Sequence, residues 1–405
     1  MPQATGIGQD APRRANLSTL LTLVHVQGPT TRATLTTALG LNRSTIGDLT
    51  RRLEELGLVV EVPPGEEPLV SGRRTGRPSL VVTPNQGVTV LAVAIDVDRI
   101  TVAIVGLGGV VLDRRTRHHQ RGEHDGGLVA EAVSQMCGEL MALELGARVV
   151  GVGVSVPGAV RESDGLVRFA PNLGWTDEPF TDLLEKELGL PVMTANDADL
   201  GARAEHMRGA AVGAADVAYL SGSVGIGGGF FVAGSPLRGA TGYAGEVGHV
   251  MVDSRGERCR CGAIGCLETK VGENQLLTAA LRLPGGGPPA VAEVIKAADR
   301  GDARAAKAVD ETAYWLGVGM RPVFALFNPQ VVVLGGLLSQ VYIARREIVL
   351  DGLAPGNLIS ARDALDVRPS ALGDDASLIG AAELAFAPLL EQPDRTEVGH
   401  ATATR

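Results

Sequence analysis

The sequence has few cysteines and no long apolar run. Only four of its 405 residues are cysteine, too few for the disulfide framework of a small secreted domain. No run of about 18 residues is free of charges and helix breakers, so the sequence predicts no membrane-spanning helix. The segment Met1–Arg14 contains no apolar stretch of the kind found in secretion signals. We therefore expect a cytoplasmic protein without a membrane partner.

The length and the charge distribution point to more than one domain. A chain of 405 residues, 45% of them hydrophobic, can build two or three domains with sizeable cores. The net charge is −9, but residues 1–83 contain nine arginines against seven acidic residues, a balance of +2 that leaves −11 for the rest. A mildly basic N-terminal part on an acidic body is typical of a small DNA-binding module joined to a larger domain.

The N-terminal region 12–83 has the pattern of a winged helix-turn-helix domain. Apolar spacing predicts a first helix over Asn16–Val26, capped at its first residue, and a second over Thr31–Leu39. A third helix follows, with Asn42 or Ser44 as its cap, and then two short apolar strands around a turn-rich wing tip. A helix-turn-helix followed by a two-stranded ribbon is the order of a winged helix, whose third helix enters the major groove.

Polar and basic side chains occur where such a domain meets DNA. The start of the third helix would face base edges, and two arginines further along it would meet phosphates. The arginines of the wing and its Gly-Arg-Pro sequence would reach an A·T-rich minor groove. The candidate DNA-binding residues are Asn42, Arg43, Ser44, Thr45, Arg51, Arg52, Arg73, Arg74 and Arg77. We expect double-stranded operator DNA as the partner; a winged helix that binds protein and a solvated three-helix cap are the alternatives.

One histidine and three cysteines stand close together near the middle of the chain. Glycines separate the cysteines, so the loop can wrap tightly around an ion. One imidazole and three thiolates can hold Zn²⁺ tetrahedrally, and a site closed by four protein ligands is structural. The predicted zinc ligands are His249, Cys259, Cys261 and Cys266. Such a site would fix the loop that presents Glu246 and Glu268; three free thiols beside a chance histidine are the alternative.

Strands and helices alternate through region 88–390, as expected of an α/β domain, and the polar segment 391–405 predicts a disordered tail. Asn196 and Asp197 follow a short predicted strand, where open α/β sheets bind ligands, although they could equally cap the next helix. The Gly-rich segment Ser221–Phe230 could offer backbone N–H groups to an anion or be a tight hairpin without a ligand.

Taken together, these motifs resemble the ROK family of bacterial repressors and sugar kinases, over roughly residues 16–390. The metal loop is the most specific match. The supporting matches are Gly151–Gly158, Pro171–Trp175, Asn196–Ala198, Asn328–Gly336 and Leu378–Ala382. The fused winged helix and its Gly-Arg-Pro linker are similar to those of the family's repressors rather than to its free-standing kinases.

The resemblance implies an α/β, actin-like, two-lobed sugar-kinase fold behind the winged helix, with a sugar in the cleft between the lobes. The implied sugar-binding residues are Gly158, Asn196, Asp197, Glu246, His249 and Glu268. Amide, carboxylate and imidazole groups supply the donors and acceptors that neighbouring hydroxyls need. Asp197 matches the catalytic base of the family's kinases.

Both phosphate loops depart from the kinase pattern. The kinases open with a strand and an Asp-x-Gly-Gly-Thr turn, where this chain has Asp96 to Ile100 without the glycines and the threonine. The second loop reads Gly-Thr-Gly-Ile-Gly in the kinases and has Val224 in place of the threonine here. Side chains in place of glycine block close approach of a phosphate, and Asp98 repels it. We therefore expect no kinase activity and a binding role for Asp197.

The sequence as a whole predicts a sugar-responsive transcriptional regulator, most simply a repressor of sugar uptake or catabolism genes that a small sugar releases from DNA. We expect a homodimer or homotetramer, because one recognition helix reads too few bases for specificity in a genome. The alternatives are an ATP-dependent hexose kinase with an accessory DNA-binding head, and a regulator that senses a phosphosugar or another metabolite.

Overall fold

The N-terminal part of the chain is a winged helix whose helices end at local capping groups. The computed structural model describes residues 7–63, 79–122, 124–143, 147–353 and 366–394. Thr31 caps the second helix, Gly40 ends it in a left-handed conformation, and Asn42 caps the third helix by accepting the N–H of Thr45. The elements are α1 (Ile7–Gln27), β1 (Thr30–Thr31), α2 (Arg32–Leu39), α3 (Arg43–Glu55), β2 (Val59–Val62) and β3 (Val81–Pro84).

Two details of the predicted winged helix are wrong. Helix α1 begins at Ile7 and continues through Pro12, so Asn16 lies inside the helix and does not cap it. The sheet has three strands in the order β1-β3-β2, because the two residues of β1 pair with β3. The predicted arginines of the wing, Arg73, Arg74 and Arg77, lie outside the described residues.

The first lobe is built on a five-stranded mixed sheet in the order β11-β7-β4-β5-β6. The strands β4, β5 and β6 form an antiparallel meander, and β7 and β11 add parallel to β4. A small antiparallel sheet, β10-β9-β8, extends this lobe. Its elements are β4 (Val88–Ile95), β5 (Arg99–Gly106), β6 (Val110–His118), α4 (Gly126–Leu143), β7 (Arg148–Val156), β8 (Ala159–Val160), β9 (Val167–Ala170), β10 (Trp175–Glu178), α5 (Phe180–Leu188) and β11 (Val192–Asn196).

The second lobe has its own five-stranded sheet, in the order β14-β13-β12-β15-β16. Most of its helices cover one face of that sheet, and α11 is kinked at Arg345. The remaining elements are α6 (Asp197–Arg208), β12 (Val217–Gly222), β13 (Ile226–Val232), β14 (Ser235–Pro236), α7 (Glu268–Val271), α8 (Glu273–Ala279), α9 (Gly287–Asp299), α10 (Ala303–Phe327), β15 (Val331–Gly335), α11 (Gly336–Leu353), β16 (Val367–Pro369) and α12 (Ala376–Glu391). Among the described residues, no helix combines the length and the apolar character needed to cross a membrane.

Helices α6 and α12 lie between the two sheets and join the lobes. Helix α12 packs on β4 and β7 of the first sheet, α6 packs on β12 and β13 of the second, and the two helices pack on each other. The buried apolar residues of α12 also continue into those of α1, so the winged helix shares one hydrophobic core with the first lobe. Because these elements are closely packed, a movement of either central helix would displace both lobes and the winged helix.

Two glycines allow the central helices to approach their neighbours closely. A Cβ atom at Gly380 of α12 would overlap the carbonyl oxygen of Leu200 in α6, and a Cβ at Gly153 of β7 would overlap that of Ala381 in α12. Backbone atoms of the facing element cannot rotate away as a side chain can. Only glycine at these positions permits the observed spacing of sheet, α12 and α6.

Replacing Gly380 with alanine should therefore destabilise the protein. We expect the Gly380→Ala variant to lose about 1–3 kcal/mol of unfolding free energy, the usual cost of forcing an extra methyl group into a packed interior. Chemical denaturation followed by circular dichroism measures the loss. Gly138, an exposed glycine inside α4 with open space around its Cβ position, provides the control. Gly138→Ala should raise stability by roughly 0.5–1 kcal/mol, because alanine is the better helix former; equal effects of the two changes would contradict the packing account.

Candidate functional site

A cleft of about 380 Å³ opens between the two lobes. The first lobe contributes the ends of β7 and β11, and the second contributes the β12–β13 hairpin and the loop before α7. All the residues predicted to contact sugar line this one cleft, namely Gly158, Asn196, Asp197, Glu246, His249 and Glu268. The fold thus brings together residues from distant parts of the sequence; their contact with a sugar stays a prediction.

Asn196 both caps a helix and lines the cleft. Its side-chain oxygen accepts the N–H groups of Ala198 and Asp199 at 2.8 and 3.2 Å, so it is the N-cap of α6. Its amide nitrogen donates to the carbonyl oxygen of Gly158 at 2.9 Å. One amide hydrogen remains for a ligand. The two alternatives that the sequence left open for Asn196 are therefore compatible in one side chain.

Two carboxyl groups beside Asn196 are poised to exchange protons near neutral pH. Burial raises the pKa of Asp197 to about 7, and the negative charge of Asp96 adds to the effect, whereas the N–H of Ala198 opposes it. Burial likewise raises the pKa of Asp199 to about 6, against the nearby positive charge of Arg238. Such groups can accept hydrogen bonds from hydroxyls when ionised and donate one when protonated.

The Gly-rich segment is the turn of a hairpin, and a carboxylate already uses one of its amides. The N–H of Ser223 donates to the carbonyl oxygen of Gly225 at 2.9 Å, closing the turn between β12 and β13. The N–H of Ile226 donates to Oε2 of Glu268 at 3.2 Å. This N–H is therefore not available to an anion, and the carboxylate of Glu268 is held between the hairpin and the cysteines.

The predicted metal ligands form a compact cluster that could hold a metal ion. The ligand atoms of His249, Cys259, Cys261 and Cys266 all lie within 4.8 Å of one another. Nδ1 of His249 is 3.7 Å from the Cys259 sulfur, and the sulfurs of Cys261 and Cys266 are 3.6 Å apart. Ligands of a tetrahedral zinc ion, at 2.0–2.3 Å from the metal, are separated by about 3.5–3.8 Å. Two of the ligand pairs already have this separation and the others lie within 4.8 Å, so small side-chain shifts would let the four residues hold a metal ion.

The imidazole of His249 connects the metal cluster to the cleft. Its Nδ1 faces the cysteines, while its Nε2 lies 3.8 Å from Oε2 of Glu246. With Nδ1 on a metal, Nε2 would carry the proton and donate towards the cleft. Metal binding would thus fix the direction in which His249 offers a hydrogen bond.

One contact across the mouth of the cleft has no counterpart among the predicted site residues. Arg260, in the cysteine loop of the second lobe, donates to Oδ1 of Asn172 at 3.1 Å. Asn172 lies in the turn between β9 and β10 of the first lobe, beside the half-exposed ring of Phe169. No local pattern marks such a pair, because its two residues are 88 positions apart in the chain.

The turn at Asp96 to Ile100, predicted to stand in place of the kinases' first phosphate loop, is held by the chain's own charges. Arg99 pairs with Asp96 at 3.0 Å, and Arg121 approaches Asp98 at 3.5 Å. Arg121 also pairs at 3.2 Å with Glu273, a buried residue of the second lobe. Ion pairs, one of which joins the two lobes, therefore occupy the region of this turn.

The start of α3 is exposed and offers positive charge. Arg43 makes no hydrogen bond or ion pair with any residue the structure describes. Arg51 and Arg52 make exposed pairs with Asp48 and Glu55 on the same helix, at 3.2 and 3.1 Å. Exposed ion pairs of this kind contribute little to the stability of the fold. Each arginine can therefore exchange its carboxylate partner for a DNA phosphate. The opposite face of α3 is buried in the winged-helix core.

Comparison with known proteins agrees with this architecture. The ROK family model matches residues 90–387. The xylose repressor of Caldicellulosiruptor bescii is 27% identical over 382 residues, which cover 90% of this chain and 93% of that protein. The glucokinase of Halalkalibacterium halodurans is 32% identical over 268 residues, which cover 63% of this chain and 80% of that protein.

Among solved structures, a ROK family transcriptional regulator described as a homologue of the E. coli MLC protein has a TM-score of 0.76. It is 24% identical, and the match covers 94% of this chain and 97% of that one. The predicted fold, an N-terminal winged helix-turn-helix followed by a two-lobed actin-like sugar-kinase fold, is confirmed. Because the ROK family model matches both lobes, this chain belongs to the ROK family.

Proposed function

We propose that this protein is a sugar-responsive transcriptional repressor of sugar uptake or catabolism genes, released from its operator by sugar. One observation carries the proposal: the likeness to the xylose repressor extends over 90% of the chain, so it must include part of the winged helix as well as the two lobes. Binding to operator DNA requires the protein to be in the cytoplasm, which is the location that the sequence predicts.

The winged helix supplies the DNA-binding surface. The exposed N-terminal end of α3, with Asn42, Arg43, Ser44 and Thr45, would enter the major groove, and Arg51 and Arg52 would meet phosphates. The side-chain oxygen of Asn42 already accepts hydrogen bonds from Ser44 and Thr45, so only part of its hydrogen-bonding capacity remains for DNA. Arg43 is therefore the described side chain best placed for base contacts, and Arg73, Arg74 and Arg77, which the sequence predicts to belong to the wing, would add to the binding.

The interlobe cleft supplies the sugar site. Asn196, Asp197 and Glu246 would bind hydroxyl groups as mixed donors and acceptors, and Gly158 and Glu268 would shape the floor. A structural zinc ion held by His249, Cys259, Cys261 and Cys266 fits the donor set and the observed spacing. Zinc would supply a rigid cross-link of the loop and orient His249.

Sugar in the cleft would favour a more closed arrangement of the lobes. In a homodimer or homotetramer, this change alters the relative placement of the two winged helices. Their separation then no longer matches the half-site spacing of the operator, and DNA is released.

Fluorescence anisotropy of a duplex from the gene's own upstream region, titrated with protein with and without a panel of sugars, tests both halves of the proposal. We expect salt-sensitive binding with Kd on the order of 10⁻⁸ M or tighter, weakened by one sugar of the panel. The variant Arg43→Ala should bind about 5- to 150-fold more weakly, as expected for the loss of an arginine that reads a base.

Arg300→Ala is the matched control, since it removes the same charge from an exposed position at the end of α9. It should bind like the unaltered protein. Absence of specific DNA binding in every condition would contradict the proposed repressor function.

The zinc site makes a separate prediction. The variant Cys261→Ser should lose its bound zinc and unfold at a temperature several degrees lower, because one ligand of a closed site is missing. Atomic absorption measures the metal and calorimetry the unfolding. Cys137→Ala, at a cysteine buried in the first lobe, should keep its zinc. A Cys261→Ser protein that is metal-free, fully folded and still binds sugar would contradict a structural zinc.

A sugar kinase is the second candidate, favoured by the position and the raised pKa of Asp197. Against it stand the substituted phosphate loops and the ion pairs that hold Asp98. A coupled assay for ADP, with ATP and the sugar that binds, decides between them. We expect no ADP above background; sugar-dependent ADP that Asp197→Asn abolishes would establish a kinase.

A further inference from the structure

A buried ionic cluster ties the winged helix to both central helices. It consists of His25 near the end of α1, Arg208 at the last position of α6, and Glu383 of α12. His25 and Glu383 are fully buried, with Nε2 of His25 2.8 Å from Oε2 of Glu383. Arg208, itself largely buried, pairs through Nε with the other carboxylate oxygen. The ring of His25 also meets that of Phe386 edge-on at 5.0 Å.

The hydrogen bonds of this cluster define one arrangement. The N–H of Gly108 donates to Nδ1 of His25 at 3.0 Å, so Nε2 carries the proton and donates to Glu383. Arg208 donates to the carbonyl oxygens of Gly108 and His25, at 3.0 and 3.2 Å. The 2.7 Å contact between Arg208 and Nε2 of His25 joins two donors and is not a hydrogen bond. Displacing Arg208 would leave the buried charge of Glu383 without its ionic partner, and displacing His25 would leave a buried carboxylate oxygen without its hydrogen-bond donor; both changes are unfavourable.

Helix α6 runs from the cleft to this cluster without interruption. Its cap is Asn196 and its first residue is Asp197, both in the cleft, and its twelfth and last residue is Arg208. Twelve helical residues span about 18 Å. The close contact at Gly380 holds α6 against α12 at Leu200, the fourth residue of this span. A ligand that moves the start of α6 must therefore move the end as well, or strain the helix.

We propose that α6 and the His25–Arg208–Glu383 cluster couple the cleft to the winged helix, so that the position of α1 follows the state of the sugar site. This inference rests on the proposed function. The remaining contacts between α1 and the lobes are mainly apolar, and apolar contacts have no preferred direction and permit sliding. The cluster is directional, so it prevents α1 from sliding when α6 shifts. Arg208 and Glu383 are positioning residues in this device and do not touch the sugar.

The test compares DNA affinity with and without sugar in the variants Glu383→Gln and Arg208→Lys. The first removes the charge that holds the cluster; the second keeps the charge but loses the forked hydrogen bonds of arginine. We expect sugar to change the DNA Kd of the unaltered protein by roughly fivefold or more, a usual size for coupling between sites. Both variants should bind sugar with a Kd within about twofold of the original, by calorimetry, while the effect of sugar on DNA binding falls to less than about twofold.

Arg114→Gln is the control, because it breaks another pair between distant segments, Arg114 with Asp375, at an exposed site away from α1 and α6. It should keep the full effect of sugar. Folded variants at Glu383 and Arg208 that respond to sugar as the original does would overturn the coupling, although the repressor itself would stand. An unaltered protein without any sugar effect on DNA binding would instead reject the function and the coupling together.

Hydrogen–deuterium exchange on the unaltered protein decides the matter even if both variants unfold. Sugar should change amide exchange in residues 20–27 of α1 and in residues 203–208 of α6, as well as in the cleft. Changes confined to the cleft would overturn the coupling.

Discussion

The carboxylate of Glu383 imposes the constraint on which the arrangement of the whole molecule depends. It is fully buried, and a buried charge is tolerated only with partners that compensate it. Burial alone would raise the pKa of Glu383, but the neighbouring His25 and Arg208 outweigh burial and lower it. Since those partners come from α1 and α6, the winged helix, α6 and α12 must meet at this point for the chain to fold.

Around that point, α12 joins the two sheets through close contacts between backbones, which glycines permit and bulky side chains would prevent. Gly153 and Gly380 allow α12 to approach a strand on one side and α6 on the other. The first lobe, the second lobe and the winged helix are therefore neighbours of the same two helices. The proposed repressor would need its sugar-binding and DNA-binding parts connected through rigid elements, and this packing provides such elements.

The cleft and the metal cluster have different roles in the proposed function. Asn196 and Asp197, at the start of α6, are the part of the cleft from which movement can spread. His249 and Glu268 flank a loop that a metal ion would hold still. One wall of the cleft is thus the start of a helix and the other a loop that the metal would cross-link, while Arg260 and Asn172 meet across the opening.

Local signals in the sequence determined the elements and the metal site. Caps such as Thr31 and Asn42 lie within a few residues of the groups they satisfy, so α2 and α3 were predicted close to their observed bounds. The metal ligands crowd into one loop, and only a turn is needed to bring them together. The predicted start of α1 was wrong because Asn16 was interpreted as a cap, whereas the helix begins at Ile7 and continues through Pro12; the two-residue strand β1 has no signal of its own.

Only the tertiary structure decided which distant residues meet. His25 and Glu383 are 358 positions apart, and Arg208 and Gly108 are 100 apart. A buried polar residue in a helix looks in sequence like any polar residue on its surface. Its partner is selected by the packing of α1, α6 and α12, which depends on the summed burial of many apolar side chains and on no local pattern.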